Sequence, residues 1–233
     1  MVELALVIPV YNEEGTVKDV IDEWYSMLLE QQIDFNIYVL NDGSTDGTRK
    51  DLDEAQVKLP LLKVVHKQNS GHGQTCIAGY RAAIDDGAVW IMQIDSDGQC
   101  ETKYFPEFWQ AREQGAAVMG FRVNRDDGLD RTLISRVLTF TIFLLSSVYV
   151  KDSNVPYRLM HRSDLAEVIN KVPPTFYLAN VLVSLIYQKR FRIKWLSIGF
   201  RERPTGKPKA NHARMLQLAF DLMKDIVSVR NSI

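Results

Sequence analysis

Cysteine is scarce in this 233-residue chain, which carries only Cys76 and Cys100. Their placement suits neither a zinc site nor a disulfide framework, so a reducing, cytosolic compartment is expected. Long hydrophobic runs are also missing. The longest apolar stretch, Val137 to Val150, covers about 14 residues, short of the ~20 needed to cross a bilayer. The amino terminus lacks a basic region, and Pro9 breaks its first apolar run, which argues against a secretory leader. Neither G-x-G-x-x-G nor a Walker lysine occurs, so the dinucleotide and P-loop readings of a phosphate site are poor. There is no internal repeat, low-complexity segment or clean linker.

What is present is ordinary in amount and uneven in distribution. Hydrophobic residues make up 46% and charged residues 24%, as in globular proteins, and the net charge is −1. Residues 1–60 carry 13 acidic and 4 basic side chains, whereas residues 186–214 carry nine basic ones against Glu202 alone. Such asymmetry points one end of the molecule at phosphate or an anionic surface. The basic segment lacks the interleaved aromatics of a single-strand binder, so nucleic acid is not expected as a partner.

Through residue 121 the pattern alternates. Strands are expected at Leu4–Val10, Phe35–Leu40, Leu61–His66, Val89–Ile94 and Ala116–Phe121. Helices are expected at Thr16–Glu30, Asp46–Val57, Gln74–Asp86 and Tyr104–Gln114, with Thr16-x-x-Asp19 as a capping box. This is the pattern of an α/β fold with a mostly parallel sheet and helices on both faces. Beyond Arg122 it changes to a polar loop (Asn124–Asp130) and an apolar helix (Thr132–Tyr149). A short strand (Tyr157–His161), two helices and a strand (Arg192–Phe200) follow. Met215–Val229 reads as an amphipathic helix. One domain over 1–233 is the economical reading, with a first half to residue 121 and a modified second half from 122.

In open α/β sheets ligands bind beyond the carboxyl ends of strands, and the polar motifs all fall at such ends. Gln93-Ile94-Asp95-Ser96-Asp97-Gly98-Gln99 follows a buried strand. Its paired carboxylates, with an amide two residues on, suit Mg²⁺ or Mn²⁺ held against a diphosphate. A solvated turn is the bland alternative for a lone D-x-D. Pro9-Val10-Tyr11-Asn12-Glu13 offers a rigid φ, a flat ring for a nucleobase and a carboxylate for base N–H or ribose hydroxyl, or else simply a capped turn. Asn41-Asp42-Gly43-Ser44-Thr45-Asp46-Gly47-Thr48 places the Asp42 carboxylate where it could read a base or ribose, next to a glycine that allows close backbone approach. Asn69-Ser70-Gly71-His72-Gly73 is either backbone near a ligand or a structural loop.

In this order the four motifs resemble a family 2 glycosyltransferase of GT-A fold, over essentially the whole chain. The resemblance implies that the first two motifs hold the nucleoside of a UDP- or GDP-linked hexose, and that Asp95, Asp97 and Gln99 hold the divalent metal. Gly120-Phe121-Arg122, Arg131-x-x-x-Ser135, Asp152…Tyr157-Arg158-Leu159 and Phe200-x-x-Arg203-x-x-Gly206-x-x-Lys209 resemble the polyprenyl-phosphate branch of that family. There Arg122, Arg131 and Arg203 are implied to hold the donor diphosphate and the lipid phosphate, with Ser135 and Lys209 beside them. Arginine suits this because its planar fork binds phosphate bidentately. The implied partners are a nucleotide sugar, a polyprenyl phosphate and the cytoplasmic membrane surface; homo-oligomerisation is left open.

Departures from the branch are Asn41 for the usual Asp, Cys100-Glu101-Thr102 after Gln99, and Pro208 before Lys209. Where hydroxyl-directed members carry Glu-Asp, this chain reads Phe176-Tyr177-Leu178-Ala179-Asn180, with no acid. A phosphate acceptor needs no base, because its second pKa is ~6, whereas a sugar hydroxyl does. The expected reaction is therefore sugar transfer to a polyprenyl phosphate. Transfer to a glycan hydroxyl, with Asp152 as base, is the alternative. Phe140, Phe143, Leu144, Val148 and Tyr149 suit either core burial or a membrane surface.

Overall fold

The computed structural model describes residues 2–122, 148–174, 176 and 178–201. The expected loop at 124–130, nearly all of the apolar helix, Arg131, Ser135, Arg203, Lys209 and the amphipathic helix at 215–229 lie outside the described residues.

Seven strands form one sheet. β1 (Leu4–Val10), β2 (Phe35–Asn41), β3 (Leu62–His66) and β4 (Trp90–Gln93) are linked by α1 (Thr16–Glu30), α2 (Thr48–Lys58) and α3 (His72–Asp85). After α4 (Phe105–Ala111) come β5 (Ala117–Arg122), β6 (Arg158–His161), α5 (Arg162–Ile169), α6 (Ala179–Arg190) and β7 (Ile193–Ile198). The strand order is β3-β2-β1-β4-β6-β5-β7. All pairs are parallel except those of β6, which runs antiparallel to β4 and β5. Beyond β4 the chain inserts a strand of opposite direction, so the sheet is mixed there.

Both faces are covered, and strand alternation divides them. Leu4, Leu6 and Ile8 of β1 pack with Trp24 of α1, Leu52 of α2 and Phe105 of α4; Ala5 and Val7 pack with Tyr80 of α3, Leu165 of α5 and Leu182 of α6. Successive strand side chains point to opposite faces, so continuous apolar strands are what a sheet buried on both sides requires. α3 lies especially close to the sheet: a Cβ at Gly79 would overlap Val7 and Leu40.

Several boundaries differ from the sequence expectation. No capping box starts α1. Its N-cap is Gly15, in the left-handed region (φ 78°), and the Gly15 N–H donates to Asp51 on α2. α2 begins at Thr48 because Asp46 stays outside and accepts from the Thr48 N–H at 3.0 Å. α3 begins two residues early, at His72. The segment 102–114 is a four-turn composite in which short 3₁₀ turns flank α4, with Pro106 in its first turn.

Strand order reverses between β1 and β4. β2 and β3 continue on one side of β1, whereas β4 returns on the other. Such a switch point leaves a crevice at the strand ends, where the Pro9–Glu13 and Asp95–Asp97 segments meet.

Candidate active site

A cleft of about 510 Å³ occupies that crevice. Pro9, Tyr11, Glu13, Asp42, Gly71, Asp95, Ser96 and Asp97 line it, joined by Val10, Asn69, His72 and Thr75. Of the other expected binding residues, Asn12 and Gly43 lie in the loops after β1 and β2 and are not part of the lining, and Gly73 is buried in the first turn of α3.

The wall at β1–β3 is held together by side chains bonded to backbone. Asp42 is almost fully buried, and its carboxylate accepts from the Ser70 N–H (2.9 Å) and the Gly71 N–H (3.0 Å) while pairing with Lys67. Lys67 Nζ also donates to the Gln68 carbonyl, Ser70 Oγ and Thr75 Oγ1. Burial alone would raise the Asp42 pKa. The Lys67 ammonium and the Ser70 amide outweigh it and hold the group below its ordinary value. Asp42 thus straps the loop after β3 to the end of β2 and presents an ionised carboxylate to the cleft.

The loop after β1 is tied to the loop after β2. Asn12 takes a positive φ of 54°, which Asn tolerates better than most residues. Its N–H donates to Ser44 Oγ (3.0 Å), and its Oδ1 accepts from the Thr45 N–H (2.8 Å). The Glu13 N–H donates to Thr48 Oγ1 (2.9 Å). Gly43 has φ 71°, and a Cβ there would meet the Asn69 nitrogen at 2.9 Å, so the turn after β2 requires glycine. Tyr11 stays about half exposed, with its ring open to the cleft.

The β4 wall carries the carboxylates. Asp95 Oδ1 lies 3.5 Å from Gln93 Nε2 and 3.6 Å from His72 Nε2. Asp97 accepts from the Gln99 N–H (3.1 Å), and the Gln99 side-chain amide donates to the Arg201 carbonyl (3.1 Å) while the Arg201 N–H donates back to the Gln99 carbonyl. Asp95 and Asp97, both lining the cleft, are the hard donors that Mg²⁺ or Mn²⁺ prefers, so these two residues fit such an ion, whereas Gln99 is not part of the lining.

His72 was not singled out in the sequence, although it stands between the two glycines of the third motif. Its Nε2 faces Asp95, Asn180 Nδ2 (3.3 Å) and Cys76 Sγ (3.7 Å). The Cys76 sulfur and the Asp95 carboxylate raise its pKa. Arg122, at the end of β5, grips Asp152 in a bidentate fork at 2.8 and 2.9 Å.

The sequence matches the family described as "Glycosyl transferase family 2" over residues 5–174. The chain belongs to that family. It has the GT-A fold. Among curated relatives, the undecaprenyl-phosphate 4-deoxy-4-formamido-L-arabinose transferase of Pseudomonas fluorescens is 25% identical over 94% of this chain. The Pectobacterium atrosepticum protein of the same name is also 25% identical over 94%. This chain spans 64% and 66% of their lengths. Among solved structures, Mycobacterium tuberculosis glucosyl-3-phosphoglycerate synthase with Mg²⁺ and UDP superposes with a TM-score of 0.71 at 18% identity, over 99% of this chain and 80% of that one. Its complex with Mn²⁺, UDP-glucose and phosphoglyceric acid gives 0.67 at the same identity, over 99% and 80%.

Proposed function

We propose that the protein is a glycosyltransferase that moves a sugar from a nucleoside diphosphate sugar, with the aid of Mg²⁺ or Mn²⁺, to the phosphate of a polyprenyl carrier at the cytoplasmic membrane face. The observation that carries the acceptor choice is the lack of a free base among the described residues: the stretch 176–180, where a hydroxyl-directed base is expected, has no acid and ends in Asn180 behind His72, and the alternative, Asp152, is already held in the Arg122 fork. The acids that line the cleft are Glu13 and Asp42 on one wall and Asp95 and Asp97 on the other. Their work is on the nucleoside and the metal. The acceptor named for the curated relatives agrees with this reading. No helix among the described residues is long and apolar enough to cross a membrane; peripheral contact with the lipid is part of the proposal.

In the mechanism, the Tyr11 ring stacks on the base, and Glu13 and the ionised Asp42 accept from base N–H or ribose hydroxyls. Asp95, Asp97 and the Gln99 oxygen would hold the cation, which when bound supplies charge stabilisation to the departing diphosphate. Arg131, Ser135, Arg203 and Lys209, in the basic and apolar segments outside the described residues, are assigned to the lipid phosphate. A phosphate oxygen attacks the anomeric carbon in line as the nucleoside diphosphate departs, with inversion. No proton must be removed, so the chain has only to position and neutralise two anions.

The test is transfer of labelled sugar from a panel of UDP- and GDP-sugars to polyprenyl phosphate, free polyprenol and glycan acceptors. Transfer to the phosphate alone is expected, falling by orders of magnitude in Arg131→Ala and Arg203→Ala, with little rescue by lysine because the fork is lost. Efficient transfer to a hydroxyl with none to the phosphate overturns the acceptor assignment.

A further inference from the structure

A line of hydrogen bonds runs from the surface of α2 to the loop that carries Tyr11 and Glu13. Asp53 Oδ1 on α2 meets His66 Nε2 at 2.9 Å. His66 Nδ1, at the end of β3, meets Asn41 Nδ2 at 3.0 Å across the β2–β3 register, in which Asn41 and His66 are direct partners. Asn41 Oδ1 accepts from the Ser44 N–H at 3.0 Å, and Ser44 Oγ accepts from the Asn12 N–H at 3.0 Å. The line ends at Asn12, the positive-φ residue between Tyr11 and Glu13.

The direction of each bond is fixed by the next. Ser44 donates a backbone N–H, so the Asn41 oxygen must face it and the Asn41 NH₂ must face His66. His66 Nδ1 must then accept, which puts the ring proton on Nε2, where it donates to Asp53. Asn41 is buried, so an amide N–H there without an acceptor is costly. The ring is therefore an orienting group for an amide that otherwise has two ways to sit, only one of which supports the turn after β2.

We infer that His66 is a positioning residue for the nucleotide-binding wall, acting through Asn41 and Ser44 on the Asn12 turn without touching the ligand. The inference rests on the reading of this cleft as a nucleotide site. It explains the asparagine in the motif Asn41-Asp42-Gly43-Ser44: a carboxylate at 41 has no N–H to give the histidine.

Two substitutions separate the halves of the ring. His66→Asn places an oxygen where Nδ1 stood and keeps the acceptor for Asn41, but loses Asp53. His66→Gln reaches toward Asp53 and leaves Asn41 without its acceptor. Titrating UDP and GDP in the presence of Mn²⁺ should show H66Q binding roughly tenfold more weakly than wild type, and H66N within about twofold. Donor KM should follow Kd while kcat at saturating donor stays the same in both. Hydrogen exchange across residues 41–48 should quicken in H66Q and not in H66N. Equal weakening of both variants, or none in either, with exchange unchanged, overturns the positioning role and leaves the nucleotide site standing. Wild-type protein that binds neither UDP nor GDP removes the site reading itself, and the inference with it.

Discussion

On the β1–β3 side of the cleft, Asn12, Asn41 and Asp42 accept from backbone amides and Lys67 donates to the Gln68 carbonyl and Ser70 Oγ, at 2.6–3.0 Å. On the β4 side, Asp95 meets its nearest partners only at 3.5 and 3.6 Å. The first wall is complete without a ligand. In the second, Asp97 accepts from the Gln99 N–H at 3.1 Å, but the Asp95 carboxylate has contacts too long for good hydrogen bonds, which suits its proposed role toward a cation. In the proposed function, the difference separates a surface that positions the nucleoside by shape from one that completes itself on binding.

Breaking each wall should therefore have different consequences. The largest effect is expected from Asp97→Ala, which should cost turnover by orders of magnitude and leave the thermal midpoint within a few degrees of wild type. Full activity in this variant, or in excess chelator, would remove the metal role.

Asp42→Ala should behave in the opposite manner. It leaves Lys67 and the Ser70 and Gly71 amides without their shared acceptor, so stability should fall by ~1–3 kcal/mol and nucleotide affinity should weaken with it. The pH dependence sharpens this. The folded Asp42 pKa lies below its ordinary value, so its contribution is present above about pH 4 and is lost as the pH falls through the lower folded value. Wild type and Asp42→Asn should converge in stability in acid and diverge above that range; parallel curves would show that the strap carries no charge-dependent stability.

Much of the frame was legible from the chain because it depends on local pattern. Apolar runs of five to seven residues with polar motifs at their ends give the strands, and β1 and α1 fall where the periodicity places them. The antiparallel β6 was not legible, since strand direction in a sheet is set by connections and not by composition. Nor was the strap. Asp42 and Lys67 are 25 positions apart and meet only because β2 and β3 pair in register. The same holds for Asn41 with His66. Thr16-x-x-Asp19 misled because Gly15, with its left-handed φ, can end the turn one residue earlier and give its N–H to a different helix. His72 was hidden for a plainer reason: a histidine between two glycines reads as loop, and only the return of α6 brings Asn180 against it.

The central claim is that the Asp95–Asp97 wall completes the nucleotide site by taking up a divalent cation. Calorimetric titration of UDP and GDP into wild type and Asp95→Asn, each with Mn²⁺ and with chelator, tests it most directly. One nucleotide should bind wild type at least tenfold more tightly with Mn²⁺ than with chelator, roughly 1.4 kcal/mol or more, and Asp95→Asn should lose that difference while retaining the weaker, metal-free affinity. Equal affinity with and without Mn²⁺ in wild type would contradict the account.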